Sequence, residues 1–163
     1  MTMSSSAVEQ RLSELGLSVP AVAAPVAAYV PAMREGDLIF TSGQLPMVAG
    51  ALVATGKVGE GAGLVDPAHA KELAQVCALN AIAAIKGVIG DLDLVTRVVK
   101  VVGFVGSDPT FTGQPGVING ASELLGKAFG EAGVHARSAV GVAALPMDAP
   151  VEVEVIVSVA PRA

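Results

Sequence analysis

The stretch that most constrains this fold begins at Asp66-Pro67 and runs through a one-sided apolar helix into a valine-rich strand. Asp66 can accept from the free N–H groups of a first helical turn. Proline suits the first helical position, where its missing N–H would have bonded to nothing. Leu73, Val76, Cys77, Asn80, Ala81, Ala84, Ile85 and Val88 then recur at helical spacing, and Gly87 or Gly90 ends the run. The next segment, Leu94 to Val105, is rich in β-branched residues and has the pattern of a central strand. A long helix lying on a sheet is therefore expected.

The remaining elements fit around that pair. Ser4 to Gly16 predicts a short amphipathic helix, with Val8, Leu12 and Leu15 on one face and Gly16 as its stop. Val26 to Val30 and Asp37 to Thr41 predict a first hairpin turning around Arg34 to Asp37. Ser42-Gly43-Gln44-Leu45-Pro46 closes it, and the glycine-rich run from Met47 to Gly63 holds a small strand near Leu52. After a Ser107-Asp108-Pro109 loop, Gln114 or Pro115 to Glu131 predicts a second helix that buries Ile118, Leu124, Leu125 and Phe129. The order β-β-(β)-α-β-α-β-β describes an α+β fold, with two long helices packed on one face of a mostly antiparallel or mixed sheet. At 163 residues this is one domain, over residues 21–163, preceded by a helical extension over residues 1–20.

The segment richest in chemistry is Arg137 to Glu154. Strand alternation puts Arg137, Ala139 and Gly141 on one face and Ser138, Val140 and Val142 on the other. A guanidinium above Ala and Gly leaves room for a small anion, and its planar fork suits a carboxylate. If Arg137–Ala143 and Val151–Val157 pair as a hairpin around Met147, Glu152 faces Val142, five residues from Arg137. At roughly 3.3 Å per residue that is about 16 Å. One small ligand cannot reach both side chains of one chain, so they serve different sites or a site shared between subunits. Glu154, alternating with valines, is expected to be surface.

Composition narrows the partners. Apolar residues make up 52% of the chain and aromatic ones 3%, so the core is built from Ala, Val, Leu and Ile, and the high hydropathy with few charges favours an oligomer with large subunit contacts over an unusually apolar monomer. A net charge of −5 with no Lys/Arg cluster argues against nucleic acid. The apolar run Val19 to Val30 is interrupted by Pro20 and Pro25 and is too short for a membrane span, and the N-terminus lacks a signal-peptide pattern. Lone Cys77 allows no internal disulfide and fits a reducing cytoplasm. It lies on the helix stripe and is expected in the core, and Asn80 beside it is expected to bond to a loop. His69 and His135 are too isolated for a metal site or a nucleophile triad, and Gly50 to Gly63 lacks a phosphate-loop pattern.

Taken together, Ala28-Tyr29-Val30, Thr41-Ser42-Gly43-Gln44-Leu45-Pro46, Arg137-Ser138-Ala139-Val140, Leu145-Pro146 and Val151-Glu152-Val153-Glu154 resemble the Rid (YjgF) family of reactive-intermediate deaminases, over residues 25–159. The resemblance implies a chorismate-mutase-like fold, a homotrimer, and ligand sites in the clefts between subunits. It implies hydrolysis of enamines and imines such as 2-aminoacrylate to 2-keto acids and ammonia, with no metal or organic cofactor. It assigns carboxylate binding to Arg137, water positioning to Glu152, pocket roles to Tyr29, Ser42 and Asn119, and a main-chain contact to Ala139. This chain departs from the pattern at Ala139, where many members carry cysteine, in its N-terminal helix, and in a longer segment from Gly106 to Asn119. A non-catalytic binder of small carboxylates is the alternative, and ribonuclease activity, attached to some relatives, fits the acidic charge poorly.

Overall fold

A computed structural model describes residues 6–22 and 28–162. The elements are α1 (Ala7–Glu14), β1 (Ala32–Glu35), β2 (Leu38–Thr41), β3 (Met47–Val48), β4 (Ala51–Leu52), α2 (Pro67–Ile89), β5 (Val95–Gly106), α3 (Gln114–Phe129), β6 (Ala136–Val142) and β7 (Val151–Val159). Five strands form one sheet in the order β1-β2-β7-β5-β6, and β3 and β4 form a separate ribbon. Strands β5 and β6 are parallel and the other neighbours antiparallel, so the sheet is mixed.

Helices α2 and α3 cover one face. Asp66 caps α2 by accepting from the N–H groups of Ala68 and His69. The buried stripe is wider than the expected one, because Ala70, Ala74, Ala78 and Ala83 are buried too, while Val88 is exposed. Small side chains let α3 come close. A Cβ on Gly120 would strike the Lys71 carbonyl, so glycine sets that approach. By length and composition α2 could cross a bilayer, yet it packs against β7 and α3. Alternation in β7 places Val151, Val153, Val155, Val157 and Val159 in the core, and half-buried Glu152, Glu154 and Ile156 on the other face. That second face also carries exposed Met33, Leu38, Phe40 and Val140.

Helix α1 joins the same core through Val8 and Leu12. Ser6 caps it in a capping box with Glu9, and Asp93 accepts from the N–H groups of Ala7 (2.8 Å) and Val8 (3.1 Å). Lys86 pairs with Glu9 and holds its carboxyl below the usual range. Leu15 is exposed rather than buried, because the helix ends at Glu14 and Gly16 turns the chain at φ +73°. Ser4 and Ser5 lie outside the described residues.

Two expectations fail on strand pairing. The first hairpin turns at Gly36-Asp37 as expected, but its leading strand is Ala32–Glu35; residues 28–30 form a bend, and Val26 and Ala27 lie outside the described residues. Pro31 has no N–H to give a ladder, so pairing starts after it. More consequentially, β6 and β7 are not a hairpin. Strand β5 lies between them, parallel to β6 and antiparallel to β7. The reason is the intervening α3: a strand, a helix and a strand make a crossover, and a crossover delivers parallel pairing. Residues 143–150 then carry the chain across β5.

Candidate functional site

Arg137 sits on edge strand β6, level with buried Val101 of β5, and so faces α3. Its Nη1 donates to Asn119 Oδ1 at 2.8 Å and to Ser122 Oγ at 3.2 Å. Asn119 and Ser122 are three apart on α3 and therefore share a helix face. Both hydrogens of Nη1 are thereby spent. Among the described residues no acceptor pairs with Nε or Nη2, so the donors along that edge of the guanidinium are uncommitted. Ala139, two residues on, is partly buried against the core. Farther along, the floor is not bare: Gln114 and Ser107 lie against Gly141, and Gln114 donates to Ser107 Oγ (3.1 Å) and the Phe111 carbonyl (2.7 Å). The longer segment after Gly106 thus walls a depression of about 330 Å³ with Ser107, Asp108, Phe111, Gln114 and Gly141 among its lining.

Ser122 carries no signal of its own in the sequence, and His135, which looks isolated there, has partners in the fold. His135 Nδ1 lies 2.6 Å from the Gly133 carbonyl, and its Nε2 lies 2.9 Å from Ser122 Oγ. The ring is in a chain of hydrogen bonds that ends on Arg137. The available signal was the three-residue spacing from Asn119 to Ser122.

Glu152 lies elsewhere. It pairs with Phe104 of β5, which is level with Val140 of β6, so on the sheet it is three residues along from Arg137 and two strands away. That geometry puts the two Cα atoms about 14 Å apart. The expected neighbour was Val142, and the difference follows from the inserted β5. The side chains also point to opposite faces of the sheet. No single subunit brings them together.

Glu152 instead meets the loop after β2. Gln44 and Val153 exchange backbone hydrogen bonds of 2.8 and 3.0 Å, drawing residues 42–44 alongside β7. A Cβ on Gly43 would occupy the position of the Glu152 carboxylate, so glycine is what leaves the carboxylate in this place. Asn80 of α2 holds the loop from below, donating to the carbonyls of Leu45 (3.1 Å) and Met47 (3.0 Å), as its place on the stripe predicted. Ser42 Oγ donates to the Val30 carbonyl at 2.7 Å, and Ser42 and Tyr29 share a depression of about 480 Å³ with Met33 and Phe40. Tyr29 is half exposed. Glu152 itself has no hydrogen-bond or ion-pair partner among the described residues. Burial pushes its carboxyl above the usual range, and the negative charge of Glu154 adds to the shift. Glu154, expected to be plain surface, is half-buried on the same face.

The other singled-out groups have structural surroundings. Cys77 is fully buried, its Sγ lies 3.8 Å from the Val151 carbonyl, and burial pushes its thiol well up. His69 pairs with Glu72 at 3.2 Å on the surface. Among the described residues no cluster of His, Cys, Asp and Glu could hold a metal ion.

The family model described as "YjgF/chorismate mutase-like, putative endoribonuclease" matches residues 9–158. Protein TCP17 of Trypanosoma cruzi is 44% identical over 158 residues, covering 95% of this chain and 96% of that protein. The crystal structure of Atu1372 from Agrobacterium tumefaciens, a protein of unknown function, is 46% identical with a TM-score of 0.87, over 94% of this chain and 93% of its own. The structure of E. coli TdcF with bound serine is 25% identical with a TM-score of 0.59, over 86% of this chain and 94% of its own.

Proposed function

The chain belongs to the YjgF/chorismate-mutase-like family, and from that premise we propose that it hydrolyses small enamines and imines derived from amino acids to 2-keto acids and ammonia. The observation that carries this is the state of Arg137: Nη1 is fixed by Asn119 and Ser122 while Nε and Nη2, along one edge, have no acceptor among the described residues. Such an edge accepts a carboxylate through two parallel hydrogen bonds. The serine held by TdcF, a carboxylate with an α-nitrogen, is a ligand of the same class.

The chemistry asks little of the protein. For 2-aminoacrylate, a proton from solvent on the terminal carbon gives the iminium, water adds to the iminium carbon, and the tetrahedral adduct expels ammonia and releases its hydroxyl proton to solvent to leave pyruvate. One water is consumed and one ammonia released. Glu152 takes the proton from the attacking water and returns it to the departing nitrogen, a role that suits a carboxyl whose pKa lies above the usual range. Arg137 orients the substrate and balances its charge. Because Arg137 and Glu152 of one chain lie on opposite sheet faces, the working pair comes from two subunits of a homotrimer. The exposed apolar residues Met33, Phe40 and Val140 are consistent with subunit contact on the helix-free face. Tyr29 and Ser42 line the Glu152 side of the cleft.

The test is keto-acid release from freshly generated 2-imino acids. Acceleration by the wild type that is lost in Arg137→Ala is the expected result. Binding of pyruvate without turnover would make the protein a carboxylate-binding module instead. Equal rates for wild type and Arg137→Ala would end the proposal.

A further inference from the structure

We propose that His135 is a positioning residue for Arg137, acting through Ser122, and that this pair dictates the direction from which a carboxylate enters. The inference rests on Arg137 being the carboxylate grip. Its own basis is the order of the hydrogen bonds. The Gly133 carbonyl can only accept, so the proton of the neutral ring is on Nδ1, 2.6 Å away. Nε2 is then an acceptor, and the Ser122 hydroxyl 2.9 Å from it donates its single hydrogen there. With that hydrogen committed, the lone pairs of Ser122 Oγ are left for the Nη1 of Arg137 at 3.2 Å. A serine without His135 could turn its hydrogen toward the guanidinium and become a poor partner for it.

The consequence is directional. Asn119 and Ser122 together use both hydrogens of Nη1, so only the Nε–Nη2 edge can grip a ligand in two places. Freeing one Nη1 hydrogen opens a second, end-on approach through Nη1 and Nη2. That approach would hold the carboxylate at a different angle from the reacting carbon. Pre-holding the guanidinium also removes part of the side-chain ordering that a ligand would otherwise have to supply. The imidazole is fixed for this task by a bond to its own chain two residues back, where Gly133 is wedged against the Leu125 carbonyl.

The experiment is calorimetric titration of the intact oligomer with pyruvate, paired with steady-state kinetics. Compared with wild type, His135→Ala and Ser122→Ala are each expected to bind pyruvate about tenfold more weakly, to raise KM, and to lower kcat about threefold because part of the bound substrate is held at the wrong angle. The double variant should be no weaker than either single one, since both remove one relay. His135→Gln keeps an acceptor at the Nε2 position and should return affinity to within about twofold of wild type, which a purely structural role for the ring would not give. Wild-type affinity in His135→Ala, additive losses in the double variant, or no rescue by glutamine would overturn the relay while leaving the Arg137 site intact. Failure of the wild type to bind pyruvate, or binding unaffected by Arg137→Ala, would overturn the site and the relay together.

Discussion

Arg137 and Glu152 carry opposite charges within one small sheet, and the fold treats them differently. Arg137 is tied to α3 by two acceptors and level with core valines, so its head group is set before any ligand arrives. Glu152 has no polar partner among the described residues and is confined by a loop glycine. Its neighbouring charge is the like charge of Glu154. The cation is braced by hydrogen bonds and the carboxylate is confined by shape. A braced group suits binding, whereas a confined and unpaired carboxylate keeps its lone pairs for a water.

The largest effect should come from the braced side. Arg137→Ala is expected to lower kcat/KM about a thousandfold, because it removes a charge-assisted bidentate contact. A drop below about fivefold would show that the grip lies elsewhere. Glu152→Gln should lower kcat about a hundredfold while pyruvate affinity changes little, the mark of a group used for chemistry rather than for binding. Mixing those two inactive variants in one oligomer then tests the division between subunits. With random assembly, about half of the arginines and half of the glutamates are intact, so about a quarter of shared sites hold both. Recovery to roughly that fraction of wild-type activity is expected, and no recovery would mean that each site draws on one chain.

Smaller effects should come from the confined side. Gly43→Ala pushes against the flexible end of Glu152 rather than against backbone, so it is expected to cost about tenfold in kcat with a melting temperature within about 3 °C of wild type. The smallest effect is electrostatic. A base must be deprotonated to work, so kcat/KM should rise with pH through the raised Glu152 value. Glu154→Gln removes one cause of that rise and should move the limb toward lower pH. A limb that stays put or moves upward would contradict the coupling. The same shift bears on stability. The folded chain keeps the Glu152 proton after the unfolded chain has lost it, so stability falls as pH climbs from the ordinary glutamate value through the raised one, and Glu152→Gln should flatten that fall.

What the sequence disclosed was mostly local. Asp66-Pro67, the apolar spacing through Ile85, the Gly36-Asp37 turn and the Ile118 to Phe129 face each announce themselves within a few residues. Asn80 was also legible, because a lone polar residue on a buried stripe must bond to something nearby. Strand partners were not. Alternation in Val151 to Val159 says that the strand is half-buried without saying which strand lies beside it, so β7 was matched to its sequence neighbour β6 instead of β5 and β2. The His135 chain was hidden for a related reason: its members come from α3, a turn and β6, and meet only once the crossover has folded. The separation of Arg137 from Glu152 was anticipated, though through the wrong strand pairing.

Asn80 has a consequence beyond satisfying its own amide. It is a partly buried residue of α2 whose two amide hydrogens fix the height of the loop carrying Ser42 and Gly43 over Glu152. The loop over Glu152 can therefore be adjusted from α2, without altering Arg137 or Glu152. Exchanges at position 80 that preserve the helix are the place where drift in the interior would retune turnover, and where an engineer seeking a wider cleft should start.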